Sequence, residues 1–402
     1  MNRKHQTILI AGAGIGGLTA ALALKRQGFT DVQVIEQAPQ LGEVGAGVQL
    51  APNASKALHG LGLANELASH AVRPQFSQAR AWNSGRLIRR FPLGDDCLKE
   101  YGAPYYHIHR AHLHAALAQA LGGEQVHLGQ KIRGFRQDAA GVTVDTESGM
   151  QFQGAILVAA DGVHSVIRNQ LTGGEKPSFQ GLVAWRGLAP VDQIQAPGTI
   201  ERNTHSYWGP HRHFVHYYVA GGKLMNWIGV VPANEWREES WSKRGEKAEI
   251  EAEFAGWHPN VQAIIRATPA PYKWALYDRE PLTQWTHGRV TLLGDAAHAM
   301  LPFMSQGAAQ SIEDGCVLGL CLAENPDDPV AALQKYESLR IPRTRAVQLG
   351  SRANGKLFHE TSFWARVKRD VEFFISSVSR HGARRKTVDW VYRYDVDQVL
   401  NA

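Results

Sequence analysis

The chain has 402 residues, 44% of them hydrophobic and 20% charged, with a formal net charge of +6. That length exceeds one ordinary core and implies two or three domains, and the composition excludes a disordered or fibrous protein. The basic residues are spread rather than blocked, so neither nucleic acid nor a membrane is expected as a partner; no run approaches the roughly twenty apolar residues of a membrane span.

A modest positive charge suits an anionic small molecule by long-range attraction. Cys97, Cys316 and Cys321 cannot all pair with one another and none lies in a C-x-x-C, so a reduced, cytoplasmic setting is expected. Arg3 and Lys4 before an apolar stretch imitate a signal peptide. The same stretch, though, forms the first strand of the pattern that follows, and cleavage there would destroy it.

Thr7 to Glu36 reads as strand, glycine turn, helix and strand. Gly12, Gly14 and Gly17 stand in a G-x-G-x-x-G spacing between the apolar run Ile8–Ile10 and the amphipathic run Leu18–Lys25. Gly12 suits a tight turn, Gly14 the close approach of a pyrophosphate, and Gly17 the packing of helix on strand. The helix start offers free N–H groups and a positive dipole end to an anion. Glu36, at the end of the second strand, is placed to accept from ribose hydroxyls.

A glycine-rich loop, Gln37 to Gly47, leads to a short strand, Val48 to Leu50. Helical spacing follows from Ala54 to His70, then two strands between Phe76 and Phe91 around Asn83-Ser84-Gly85. Arg110 opens a helix over 111–121, an unfavourable place for a cation unless an anion is nearby. The segments 126–128, 134–137, 142–146 and 151–152 read as a small meander. Ala155 to Ala159 is a fully apolar strand of the buried parallel type, ended by Asp161-Gly162, with Ser165 and Arg168 on the helix after it.

From Phe179 to about Pro281 aromatic residues recur with strand-like alternation, which predicts a largely antiparallel sheet, and a helix is expected over 246–267. Arg289 to Leu293 returns as a buried strand capped by Gly294-Asp295, and a helix runs from Ala308 to Leu322. The remainder is read as helical, over 336–351 and 363–378, with Phe363, Val367, Val371 and Phe374 at helical spacing. Arg366, Lys368, Arg369, Arg384, Arg385 and Lys386 make this tail basic, either as a solvated face or as a dimer contact. A monomer or a homodimer is expected.

Three motifs now stand in one order: G-x-G-x-x-G with Glu36, Asp161-Gly162-x-x-Ser165-x-x-Arg168, and Gly294-Asp295-Ala296-Ala297-His298. Together they resemble the FAD-dependent aromatic hydroxylases typified by para-hydroxybenzoate hydroxylase, in the branch of salicylate hydroxylase and 3-hydroxybenzoate 6-hydroxylase. The likeness extends over nearly the whole chain, from the GEVGAG loop through YGAPYYHIHRAHLH to the ending DWVYRYD. It implies an α/β fold: a Rossmann-like FAD-binding domain (1–75, 101–178 and 282–330), an inserted, mostly antiparallel substrate-binding sheet (76–100 and 179–281), and a helical C-terminal segment (331–402).

The resemblance also assigns roles. Gly12, Gly14 and Gly17 hold the FAD pyrophosphate, Glu36 the adenosine ribose, and Arg110 the phosphate or ribityl region. Asp295 accepts from the ribityl surroundings, and Asp161 serves FAD packing and nicotinamide handling. Gly307, Ala308 and Ala309 open a helix toward the flavin's N1–C2=O edge. No second G-x-G-x-x-G follows a strand, so NADH or NADPH is expected to dock transiently at the surface. The implied reaction hydroxylates salicylate or another monohydroxybenzoate with O2 through a flavin hydroperoxide. Alternatives are a non-carboxylated or N-heteroaromatic phenol, or a flavin-binding protein without turnover.

Phenolate is a far better nucleophile than phenol, so a base near the phenolic oxygen is needed, and histidine meets that need. The resemblance points first to His213, then to His216. Alternation groups His213 with Val215 and Tyr217, and His216 with Phe214 and Tyr218. Gln49 sits on a strand toward the flavin where some relatives carry a histidine base, and is limited to orienting. Pro302 offers a rigid turn whose free carbonyl is an acceptor beside the ring hydroxyl. Arg186, Arg212 and Tyr217 are candidate donors to a substrate carboxylate, Trp185 and Trp208 candidate stacking partners. His298 is expected to pack its turn.

Overall fold

Three stretches far apart in sequence meet in one sheet. In the computed structural model Ile8–Ala11 pairs in parallel with Ile156–Ala159 on one side and with Val32–Ile35 on the other, and Ile156–Ala159 pairs in parallel with Val290–Leu292. The structure describes residues 3–42, 46–174, 177–233, 244–378 and 388–401. Positions 43–45 of the GEVGAG loop, Arg384, Arg385 and Lys386, and the side chains of Phe363 and Phe374 lie outside the described residues.

This six-stranded sheet runs Thr286–His287, Val290–Leu292, Ile156–Ala159, Ile8–Ala11, Val32–Ile35, Val126–His127. Its two central strands, Ile8–Ala11 and Ile156–Ala159, are uniformly apolar and buried, as parallel strands covered on both faces are. The helix Ile15–Arg26 lies against Gly307–Glu324 at a crossing of small residues. A side chain at Gly315 would meet the Ala20 amide nitrogen at 2.7 Å, and one at Gly319 would meet Ala23 Cβ at 3.1 Å. Close approach there sets the start of Gly307–Glu324 beside the glycine turn.

The aromatic region forms a seven-stranded sheet in the order Tyr272–Asp278, Ser178–Pro190, Leu224–Pro232, Arg212–Val219, Thr204–Gly209, Phe76–Ala81, Leu87–Pro92. All its pairings are antiparallel except Thr204–Gly209 with Phe76–Ala81. One face packs on the helix Pro259–Arg266 through Trp185, Phe214, Trp227 and Ile264. The other closes over the glycine turn. Gly47–Leu50 and Tyr106–His109 pair between the two large sheets, and the Gly47 amide donates to Asn226 Oδ1 at 2.6 Å.

Several expectations need correction. Val126–His127 is not part of the meander; it extends the parallel sheet beside Val32–Ile35, and only Ile132–Gln137, Val142–Thr146 and Gln151–Gly154 form the small antiparallel sheet. The helix expected over 54–70 is two, Pro52–Gly60 and Ala64–His70, parted at Gly62, whose φ is +79°. That expected over 246–267 divides into Lys247–Glu253 and Pro259–Arg266 around Gly256 (φ +76°). Conversely Pro329–Phe358 is one helix running through Pro342. The helix Phe363–Val378 exposes Val367 and Val371 and buries Arg369, whose guanidinium lies over Trp208. Its apolar spacing therefore does not mark its packed face. All three cysteines are free and buried. No helix of the described residues is long and apolar enough to cross a membrane.

Candidate active site

Two cavities, of about 320 and 350 Å3, join at Gly14, Ala160 and Gly162, where the parallel strands end. The second is lined by Gly12, Glu36 and Asp161 and runs along the end of Val32–Ile35. The first is lined by Gln49, Arg110, His213, Tyr217, Asp295, Pro302, Gly307 and Ala308, and extends from the glycine turn to the aromatic sheet.

The turn is shaped as its spacing predicts. Gly12 has φ +94°, and any side chain there would meet the Ala160 carbonyl oxygen at 2.5 Å. Gly17 is pressed on Gly12, where an added Cβ would lie 1.9 Å from the Gly12 oxygen. A side chain added at Gly14 would meet no described atom within 4 Å, so this side of the turn faces open space before the helix Ile15–Arg26, whose start no side chain of the described residues caps. Glu36 is held by two amides, Ala13 N to Oε2 at 2.7 Å and Ala38 N to Oε1 at 2.8 Å, each oxygen keeping a further lone pair.

Asp161 Oδ2 accepts from the Val166 and Ile167 amides at 3.0 and 3.4 Å, which ties the carboxylate to the next helix start. Its Oδ1 is buried and has no hydrogen-bond partner among the described residues, and burial raises its pKa. Ser165 caps that helix at the Arg168 amide, and Arg168 reaches the carbonyls of Val163 (2.9 Å) and Ala296 (3.3 Å). The D-G-x-x-S-x-x-R motif thus bolts the Asp161 loop to the turn carrying Asp295.

Behind the cavity lies a buried ionic network that the sequence did not disclose. Asp314 accepts from the Gly294 amide at 3.0 Å and from His298 at 2.6 Å. Arg340 pairs with both Asp314 and Glu313 at 2.7 Å, and Asn53 donates to Glu313 and to Gln306, the residue before the helix start. His298 is therefore a packing residue of the turn, as expected. The only advance sign of the network was two adjacent acids inside an otherwise apolar helix.

At the aromatic wall, the fold decides between the two histidines that alternation sets on opposite faces. His213, Val215 and Tyr217 face the cavity with Ile228 of the adjoining strand. His216 points the other way and is corrected: it stacks on His205 (4.9 Å) and Tyr207 (5.9 Å), and neither ring nitrogen has a hydrogen-bond partner among the described residues. Arg186 does not line the cavity; its guanidinium lies over the Trp274 and Tyr272 rings, 5.1 and 5.8 Å from their centroids. Arg212 is taken by Glu253 at 2.8 Å, Trp185 is buried on the far face, and Trp208 stacks on Phe358. Ala309 is buried in the core behind the helix start and does not reach the cavity. Pro302 lines the cavity, and its carbonyl accepts the Ser305 amide at 3.1 Å in a 3-10 turn, which leaves one lone pair of that oxygen.

Tyr217 is a well-prepared donor. Tyr105 Oη donates to Gln49 Oε1 at 2.7 Å, which holds the Gln49 amide in the wall of the cavity beside Tyr217. Tyr217 lines the cavity, and burial raises its pKa so that the hydroxyl keeps its proton. His213 is held neutral: burial, then His359 beside it, pushes its pKa well below the ordinary histidine value.

The matching family model is the FAD binding domain, over residues 5–350. The chain belongs to this family of FAD-dependent aromatic hydroxylases. It is 40% identical over 360 residues to the 3-amino-4-hydroxybenzoate 2-monooxygenase PtmB3 of Streptomyces platensis, with 89% of this chain and 90% of that one covered. To the 3-hydroxybenzoate 6-hydroxylase of Polaromonas naphthalenivorans it is 37% identical over 404 residues, covering 99% and 98%. The crystal structure of Klebsiella pneumoniae HpxO with FAD and uric acid superposes with a TM-score of 0.81 at 28% identity, over 98% of this chain and 97% of that one. The residues present fit FAD: an open glycine cradle, an acid at the end of the second parallel strand and, among the described residues, a buried Asp161 oxygen without a partner and a helix start at Gly307 that no side chain caps.

Proposed function

We propose that this flavoprotein monooxygenase hydroxylates a small phenolic acid, consuming one NAD(P)H, one O2 and one proton and releasing water and NAD(P)+ with the product. One observation carries the reading. A neutral histidine, His213, and a protonated phenol, Tyr217, stand on one strand face across a single cavity from the helix start at Gly307.

FAD, when bound, takes up the nicotinamide's hydride, activates O2 and supplies one oxygen atom to a ring carbon. Gly12, Gly14 and Glu36 would hold its adenosine diphosphate part. Arg110 and Asp295 would border the ribityl chain, and the amides at Gly307 and Ala308 would favour negative charge on the reduced ring. For the substrate, His213 accepts the phenolic proton, which raises the nucleophilicity of the ring carbons. Tyr217 donates to an oxygen of the substrate and fixes the ring's orientation. Val215, Ile228, Met300 and Leu301 wall the cavity with apolar surface and keep water from the reacting carbon.

The relatives' names make hydroxybenzoates the class to test. The FAD-loaded protein should be assayed with salicylate, 3- and 4-hydroxybenzoate, 3-amino-4-hydroxybenzoate and hydroxynicotinates, scoring oxygenated product against NADH and NADPH consumed. Coupled product from one or more supports the reading. Nicotinamide oxidation that yields only hydrogen peroxide with every compound would overturn it.

A further inference from the structure

The His213 ring has a second neighbour that no motif suggested. His213 Nδ1 lies 2.7 Å from Nε2 of His359, the residue that ends the helix Pro329–Phe358, and their ring centroids are 4.9 Å apart. The two histidines belong to different hollows. His213 lines the inner cavity, whereas His359 lines a separate outer cleft of about 880 Å3. Between the hollows stands an apolar partition of Leu301, Phe303 and Phe358. The Phe303 centroid is 5.6 Å from both imidazoles, and that of Phe358 is 5.5 Å from His213.

We infer that His213 and His359 form a two-membered relay that carries the substrate's phenolic proton through this partition into the outer cleft. His359 is a positioning and relay residue, and the inference rests on the reading of His213 as the base. Burial gives the physical need. An imidazolium at His213 would be a charge nine-tenths or more out of water, so a proton taken there must move on for the phenolate to persist.

With His213 in its Nδ1–H tautomer, the steps balance without any redox change. The phenol O–H bond breaks and its proton forms an N–H bond at His213 Nε2. The Nδ1–H proton of His213 passes to His359 Nε2, and His359 releases its own Nδ1–H proton to water in the cleft. Return of a proton to the product oxygen along the same path restores both tautomers. The charged and titratable groups around the outlet are Asp278, Arg279, Glu280, Arg352, Lys356 and Glu360 in the cleft, and His211 from the strand turn. Their mixed signs leave the outlet near electrostatic balance, which suits passage of a proton in either direction.

The test is proton release, read with a pH indicator by stopped flow when the FAD-loaded protein is mixed anaerobically with 3-hydroxybenzoate, or with the member of the ligand panel that binds best. Wild type should release a proton in the mixing phase. His359→Gln and His359→Ala should slow that release tenfold or more while leaving FAD content and the flavin absorbance spectrum as in wild type. Added imidazole, which the outer cleft has room to hold, should restore the rate in His359→Ala alone. Unchanged release in both variants, or slow release that imidazole does not restore, overturns the relay. Release that survives in His213→Ala overturns instead the assignment of His213 as the base.

Discussion

Arg340 Nε donates to Asp314 Oδ1 at 2.7 Å, with both side chains fully out of water. The other carboxylate oxygen holds the Gly294 amide and His298, so one buried arginine on the long C-terminal helix steadies the turn that carries Asp295. The same guanidinium holds Glu313, which reaches Asn53 and so bears on the helix start at Gly307.

Removing one partner of a buried pair costs about 3–5 kcal/mol where it leaves a charge uncompensated. Here Glu313 keeps Arg343 at 2.6 Å, so the charge left short of a partner is that of Asp314, with His298 alone beside it among the described residues. Arg340→Met should therefore lower the melting temperature sharply and weaken FAD retention, measured by thermal unfolding and by flavin fluorescence after gel filtration. Unchanged retention would show that the network supports the helix without shaping the cofactor's seat.

The glycines separate folding from binding. Gly17→Ala should fail to accumulate as folded protein, because its Cβ would lie 1.9 Å from a backbone oxygen that cannot retreat. Gly14→Val has open space before it and should fold with a near-native circular dichroism spectrum, yet lose FAD because the side chain fills the ground of the pyrophosphate. A yellow Gly14→Val protein would refute that seating.

Much of this was readable beforehand, because parallel strands and glycine turns are local patterns. The strands Ile8–Ala11, Ile156–Ala159 and Val290–Leu292 each announce themselves by apolar runs in the sequence, and the alternation from His213 to Tyr218 already sorts its two faces. What alternation cannot say is which face meets the cavity. Nor can it reveal partners supplied by distant helices: His359 for His213, Arg340 for Asp314. Arg186 and Arg212 looked alike in sequence as free cations; aromatic rings and Glu253 claim them only in three dimensions.

Tyr217→Phe keeps the ring and deletes the hydroxyl. A hydrogen bond to a charged group contributes about 1.5–3 kcal/mol, so a carboxylated or ionised phenol should bind some tenfold to a hundredfold more weakly. Titration of the flavin spectrum measures this directly. Gln49→Ala should act in the same direction and more weakly, since it reshapes the cavity wall beside Tyr217 and leaves the hydroxyl in place. If Gln49→Ala impairs binding more than Tyr217→Phe does, the glutamine itself contacts the substrate.

The last prediction concerns acid. Burial pushes His205 down to about 4 and His107 to about 3, and holds His216 well below its ordinary value. Below about pH 6.5 the unfolded chain therefore binds protons that the folded chain refuses. Stability present above that pH is lost as the pH falls toward 4, at up to about 1.4 kcal/mol per unit for each such histidine. His216→Phe removes one of these groups, together with two buried nitrogens that lack partners among the described residues, from a stack with His205 and Tyr207. The variant should show a shallower fall in melting temperature between pH 7 and 5, with turnover within twofold of wild type at pH 7.5. A loss of turnover there as large as that of His213→Ala would mean that the far face of the sheet takes part in the chemistry after all.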